Sequence, residues 1–179
     1  MTETVTAPRS VQGVTIRAYR PADHNACRRL WAELIEHRRG LYGEEPRAPE
    51  TGAGFEEYLT QLNLSGLWVA DQGDQGVVGF IGLMLDGRAG EVDPIVVTAS
   101  ARGRGIGRAL LARVGDEARK RGLRRLQVSP SARDVATIRT LHSAGFDAVG
   151  TVTLTFPLDG RLGATDPTTL DLYDLRFQA

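Results

Sequence analysis

Residues 102–125 read RGRGIGRALLARVGDEARKRGLRR, nine basic side chains against two acids in a 179-residue chain of zero formal net charge. Ile106, Leu110, Leu111, Val114 and Ala118 recur on one face of a helix, so the segment is committed to a core. Arg119, Lys120 and Arg121 fall in its last turn, against the negative end of the helix dipole, and Gly122 is the expected stop. A dinucleotide fingerprint needs G-x-G-x-x-G, but position 108 is Arg, and no Gly-Lys-Ser/Thr phosphate loop is present. A nucleic-acid arm needs basic residues free to face phosphates, usually with aromatic support, and this stretch has no aromatics. What fits is a strand, PIVVT, running into a glycine loop that becomes a helix N-terminus. Free N–H groups and the helix dipole make such a point an anion site suited to pyrophosphate. Arg102, Arg104 and Arg108 add charge-assisted contacts.

The rest of the chain alternates strands and helices around this point. Val14, Ile16 and Ala18 alternate with Thr15 and Arg17, the pattern of a strand buried on one face. The break RPAD follows, with Asp23 as helix N-cap, then an apolar helical stripe through Cys27, Leu30, Trp31 and Leu34. Residues 39–53 read as a long loop, and FEEYLTQLN as a short helix. LWVAD and GVVGFIGLML form a hairpin, and EVDPIVVT is the fourth strand, made irregular by Pro94, which donates nothing to a ladder. After the basic helix come the strand LRRLQVS, the helix DVATIRTLHSA, the alternating strand FDAVGTVTLTFPL and a last strand LDLYDLRF. The expected fold is α/β: a mixed, mostly antiparallel sheet of six to seven strands flanked by about four helices. Residues 1–13 are expected to be a flexible tail and 14–179 one domain.

Composition excludes several classes. A hydrophobic fraction of 41% with 25% charged residues is that of a globular chain, and no apolar run reaches the ~20 residues of a membrane helix. The start MTETVTAPRSVQG has no signal-peptide pattern, so the expected compartment is the cytoplasm. Cys27, the single cysteine, offers neither an intramolecular disulfide nor a thiolate cluster for metal. Neither a metal, nor nucleic acid, nor a membrane is expected as partner. Residues 41–57 carry Glu44, Glu45, Glu50, Glu56 and Glu57 against Arg47 alone, which points to a cationic partner. The final strand is a candidate for pairing across a homodimer.

From about residue 14 to 157 the sequence resembles the GNAT-type acyl-CoA-dependent N-acyltransferases. The signature of that superfamily, Arg/Gln-x-x-Gly-x-Gly/Ala between a strand and a helix, stands here as Arg102-Gly103-Arg104-Gly105-Ile106-Gly107. A second motif, Asn-x-x-Ala with Tyr seven residues beyond the Asn and a closing Gly-Phe, reads Asp134-Val-Ala-Thr137, Leu141 and Gly145-Phe146. The resemblance implies a sheet splayed at strands four and five. It implies acetyl-CoA as co-substrate, with pyrophosphate on Arg102 to Arg108, pantetheine along Ile95, Val96 and Val97, and Asp134 in contact with the cofactor. An N–H near Val97 is the implied oxyanion donor. Glu91 and Asp93, on one face of the fourth strand, are the candidate bases that take a proton from the acceptor amine.

The departures from the pattern bear on the chemistry. Leu141 replaces the usual tyrosine acid, and His142 beside it is the candidate substitute. A thiol of pKa about 8.5 is a fair leaving group unaided, so turnover does not demand that tyrosine. The implied activity is transfer of an acetyl group to a primary amine by direct attack in a ternary complex. The alternative is a non-catalytic acyl-CoA-binding regulatory or interaction domain.

Overall fold

A computed structural model describes residues 9–11, 13–43, 49–61, 66–156, 158, 169–172 and 174–178. Its main sheet has the order β1 (Arg9–Val11), β2 (Val14–Ala18), β3 (Leu67–Asp71), β4 (Val77–Asp86), β5 (Ala89–Val97), β6 (Arg125–Gln127). Every neighbouring pair is antiparallel except β5 and β6, which run parallel. The parallel pair needs a crossover, and α3 (Ile106–Lys120) supplies it. This is the expected mixed α/β architecture, with α1 (His24–Leu41), α2 (Gly54–Gln61) and α4 (Val135–Ser143) completing four α-helices among the described residues.

Two apolar layers hold the sheet. On one face the stripe of α3, Ile106, Leu110, Leu111 and Val114, packs with Ile16, Trp68, Ile81, Leu83 and Val92. On the other, Cys27, Leu30 and Leu34 of α1 and Phe55 and Tyr58 of α2 pack on Leu67, Val69, Phe80 and Val96. Burial pushes the Cys27 thiol up to about 12, so it acts as a small apolar core group. Asp23 does stand at the helix start, but its buried carboxylate takes the Arg20 N–H at 2.8 Å and both terminal nitrogens of Arg17 at 2.7 Å. Gly122 ends α3 as expected: its φ is +67°, its N–H reaches the Arg119 carbonyl, and Leu123 N–H reaches that of Ala118, both at 3.0 Å.

Three expectations change. Residues 1–13 are not wholly a tail, because Arg9–Val11 form β1; three residues without apolar alternation leave no sequence pattern, yet their backbone pairs with β2. Residues 146–156 form no strand, although the alternation was clear. A strand exists through its ladder, and among the described residues β6 pairs only with β5; Phe156 is 83% exposed. The last segment is not one strand but a hairpin of β7 (Thr169–Leu172) and β8 (Leu175–Gln178) paired with itself. Among the described residues no helix is long and apolar enough to cross a membrane, and no cluster of three His, Cys, Asp or Glu could hold a metal ion.

Candidate active site

The β5–β6 ladder is three residues long: Ala89 opposite Arg125, Gly90 opposite Leu126, Glu91 opposite Gln127. Beyond it β5 runs on to Val97 while β6 ends, so the two strands part. A cleft of about 1130 Å³ opens there, with Glu91, Asp93, Ile95, Val96 and Val97 on one wall and Val128 to Ser131 on the other.

A bulge sets the angle of β5 along this wall. Between the pairs Ile81–Ile95 and Leu83–Val92, β4 advances two residues and β5 three. The extra residue lies at Asp93–Pro94, the position the sequence marks by its proline, and that peptide is cis. Buried Tyr58 donates its hydroxyl to the Asp93 carbonyl at 2.7 Å, and burial raises the phenol well above its ordinary pKa. Opposite the bulge stands Gly82, where a Cβ would collide with Tyr58 Oη and the Asp93 carbonyl oxygen.

The glycine loop lines one end of the cleft. The Arg102 guanidinium folds back, Nε donating to the Val97 carbonyl at 3.0 Å. Gly103 (φ +74°) and Gly105 (φ +77°) occupy the left-handed region that favours glycine. Gly105 is the N-cap of α3 and has no side chain with which to cap the first-turn N–H groups. A Cβ on Gly107 would meet only Thr140 and Ile95, at 3.8 and 4.0 Å, so packing within the protein does not require glycine there. The open backbone suits the close approach of a ligand. Arg102, Gly103, Gly105, Ile106, Gly107 and Arg108 all line the cleft. This donor set fits a pyrophosphate, and the apolar side chains of Ile95, Val97, Leu111 and Leu141 fit the uncharged arm of an acyl-CoA.

Two expected site residues are elsewhere. Arg104 turns to Gln72, Nη1 to Oε1 at 3.5 Å, and lines a separate cleft of about 320 Å³ with Arg29 and Glu33. His142 is exposed and is not among the residues lining the large cleft. Consecutive residues of a helix point about 100° apart, and Leu141, 4% exposed, holds the inward position.

Asp134 does line the cleft, as the N-cap of α4: it accepts Thr137 N–H at 3.0 Å and Thr137 Oγ1 at 2.8 Å. It also accepts His37 Nε2 from α1 at 3.0 Å. Burial alone would raise the Asp134 pKa, but the hydrogen bonds from Thr137 and His37 outweigh it and hold the carboxyl below its ordinary value. His37 was missed in the sequence because its partner is 97 residues away. Tyr42 and Arg133 were missed likewise: Tyr42 Oη lies 2.9 Å from Ser131 Oγ, and Arg133 stacks on the Tyr42 ring and donates to the Leu41 carbonyl.

The candidate bases are differently placed. Glu91 and Asp93 both line the cleft, but Asp93 faces Arg38 Nη2 at 3.4 Å. In the acidic stretch 41–57, Glu50 pairs with Arg39, and Glu56 with Arg28 and His24, so these carboxylates are neutralised internally. Glu44, Glu45 and Arg47 lie outside the described residues.

Parting strands above a glycine-rich helix start form a cleft that fits an acyl-CoA. The chain belongs to the GNAT acetyltransferase family, whose model, described as "Acetyltransferase (GNAT) family", matches residues 24–146. Among solved structures it is similar to a ribosomal-protein-alanine N-acetyltransferase from Brucella melitensis, with 28% identity and a TM-score of 0.64 over 83% of this chain and 93% of that one. An N-acetyltransferase from Staphylococcus aureus Mu50 is 26% identical, TM-score 0.58, over 73% and 81%. An N-acetylglutamate synthase from Neisseria gonorrhoeae, complexed with coenzyme A and N-acetyl-glutamate, is 26% identical with TM-score 0.52; the match covers 70% of this chain and 27% of that one. No match was found among curated proteins. Members of the family use acyl-CoA.

Proposed function

We propose that this chain is an N-acetyltransferase that moves an acetyl group from acetyl-CoA to a primary amine by direct attack within a ternary complex. The observation that carries the reading is one cleft that joins an uncapped helix start to a bulged strand edge, unpaired beyond Glu91, with the carboxylates of Glu91 and Asp93 in its lining. The first-turn N–H groups of α3, with Arg102 and Arg108, would hold the pyrophosphate. The free edge of β5 from Ile95 to Val97 would hold the pantetheine by backbone hydrogen bonds, as an added strand is held. When bound, acetyl-CoA supplies an activated acyl carbon and a thiol leaving group.

The protein's own residues have two tasks at the acyl end. One is to offer a backbone N–H of β5, near Val97, to the developing oxyanion. The other is to take a proton from an amine whose conjugate acid has a pKa of about 10. Glu91 is the freer of the two strand carboxylates, since Asp93 is engaged by Arg38.

Leu141 favours one second reading, a non-catalytic acyl-CoA-binding domain, because a buried aliphatic side chain stands where a proton donor is usual. Incubation with acetyl-CoA and a panel of small amines, polyamines and peptides with free N-termini separates the two. The enzyme releases free thiol above background with at least one acceptor class. Tight coenzyme A binding with no thiol release from any acceptor would favour the binding domain.

A further inference from the structure

We propose that His37, oriented by Asp134, is the general base that deprotonates the acceptor amine; this rests on the acetyltransferase reading above. His37 stands on α1 and Asp134 caps α4, and both line the large cleft together with Glu91, Asp93 and the β5 edge. The hydrogen bond from His37 Nε2 to Asp134 Oδ2, 3.0 Å long, fixes the tautomer: an ionised carboxylate only accepts, so Nε2 carries the proton. The Nδ1 lone pair of the neutral ring is then the basic site, and among the described residues Nδ1 has no hydrogen-bond partner.

Asp134 is itself locked. Thr137 holds both of its oxygens, one through its N–H and one through its hydroxyl, so the carboxylate cannot turn away from the imidazole. The arrangement is a base with an orienting carboxylate behind it, assembled from two helices that both line the cleft. The other charged groups lining the cleft are Arg38 and Arg39 of His37's own helix, Glu91 and Asp93 of β5, and Arg102 and Arg108 at the start of α3. Two of these six are already paired with each other, Arg38 with Asp93, and Arg39 reaches Glu50. They leave Glu91 as the rival base.

The proton balance is direct. His37 Nδ1 accepts the proton that the amine nitrogen sheds as its lone pair forms the N–C bond to the acyl carbon. The C–S electron pair leaves on sulfur, and the imidazolium, faced by the Asp134 carboxylate, passes its proton to that thiolate. The products are an amide and a thiol, and the base is restored.

The test is the pH dependence of kcat/KM for thiol release by the full chain, with an amine that the wild type accepts, alongside coenzyme A affinity by calorimetry. His37→Gln lowers kcat about 10²–10⁴-fold, removes the acid limb of the wild-type profile, and leaves coenzyme A affinity unchanged. Asp134→Asn keeps the helix cap but donates its amide to Nε2, which forces the ring proton onto Nδ1, and kcat falls with coenzyme A still bound. Added imidazole restores part of the turnover of His37→Ala, which a packing role would not allow. The proposal is overturned if His37→Gln keeps the wild-type rate and limb, or if the limb vanishes instead in Glu91→Gln. Absence of thiol release by the wild type with every amine would overturn the acetyltransferase reading itself, a result distinct from an active enzyme indifferent to His37.

Discussion

The hydroxyl of Tyr58 meets the carbonyl oxygen of Asp93 at 2.7 Å, where β4 and β5 shift register by one residue. A side chain from α2 thus satisfies the backbone acceptor that the bulge takes out of the ladder. Tyr58→Phe keeps the ring in its aromatic cluster with Trp31 and Phe55 but leaves that carbonyl unpaired. The expected cost is about 1–3 kcal/mol in urea unfolding. Because the bulge aims Ile95 and Val97 along the cleft, the KM for acyl-CoA rises as well.

Two glycine substitutions carry opposite signs. At Gly82 a new Cβ collides with Tyr58 Oη and with a backbone carbonyl that cannot yield, so Gly82→Ala loses roughly 1–3 kcal/mol. At Gly40, within α1, a Cβ meets nothing within 4 Å. Gly40→Ala gains about 0.5–1 kcal/mol, as expected for a helical position. Thermal melts of the two variants show the difference directly.

The helix start supplies a binding prediction. Gly105→Ala places a side chain at φ +77°, which costs about 1–2 kcal/mol of stability. Arg102→Ala and Arg108→Ala leave the fold intact, but each weakens coenzyme A roughly 10- to 100-fold, the scale of a lost charge-assisted hydrogen bond. Arg104→Ala, whose side chain lines the other cleft, has a smaller effect. Calorimetric titration with coenzyme A at fixed salt measures all three.

The sequence reveals the half of the site that is local. Gly103, Gly105 and Gly107 lie within five residues of one another, and their spacing at a strand-to-helix junction is enough to place an uncapped helix start beside the cleft. Pro94 likewise marks the bulge. What the sequence hides is contact across distance. His37 gains its meaning from a carboxylate 97 residues away, whereas His142 is a candidate only through its place beside Leu141. Alternation at Val152, Leu154 and Phe156 suggested a strand but said nothing about whether a ladder partner was present. β1 shows the reverse case, a backbone pairing with no side-chain pattern to announce it.

Acid sensitivity follows from two carboxyls. Asp23 and Asp134 are each pushed up by burial, and each is drawn below its ordinary pKa by stronger hydrogen bonds, from Arg17 and Arg20 N–H in one case and Thr137 and His37 in the other. A group whose folded pKa is depressed contributes stability above its unfolded pKa, near 4, and loses that contribution as pH falls through the folded value. Denaturant titrations below about pH 4 therefore show a stability loss that is shallower in Asp134→Asn, in which the side chain no longer titrates.

The central claim is that acyl-CoA lies along the β5 edge with its pyrophosphate on the start of α3. Amide hydrogen exchange of the full chain, with and without saturating acetyl-CoA, tests it most directly. The account predicts slowed exchange at residues 95–97 and 103–108, with the β7–β8 hairpin unchanged. Saturable binding that leaves both of those segments unprotected would contradict it.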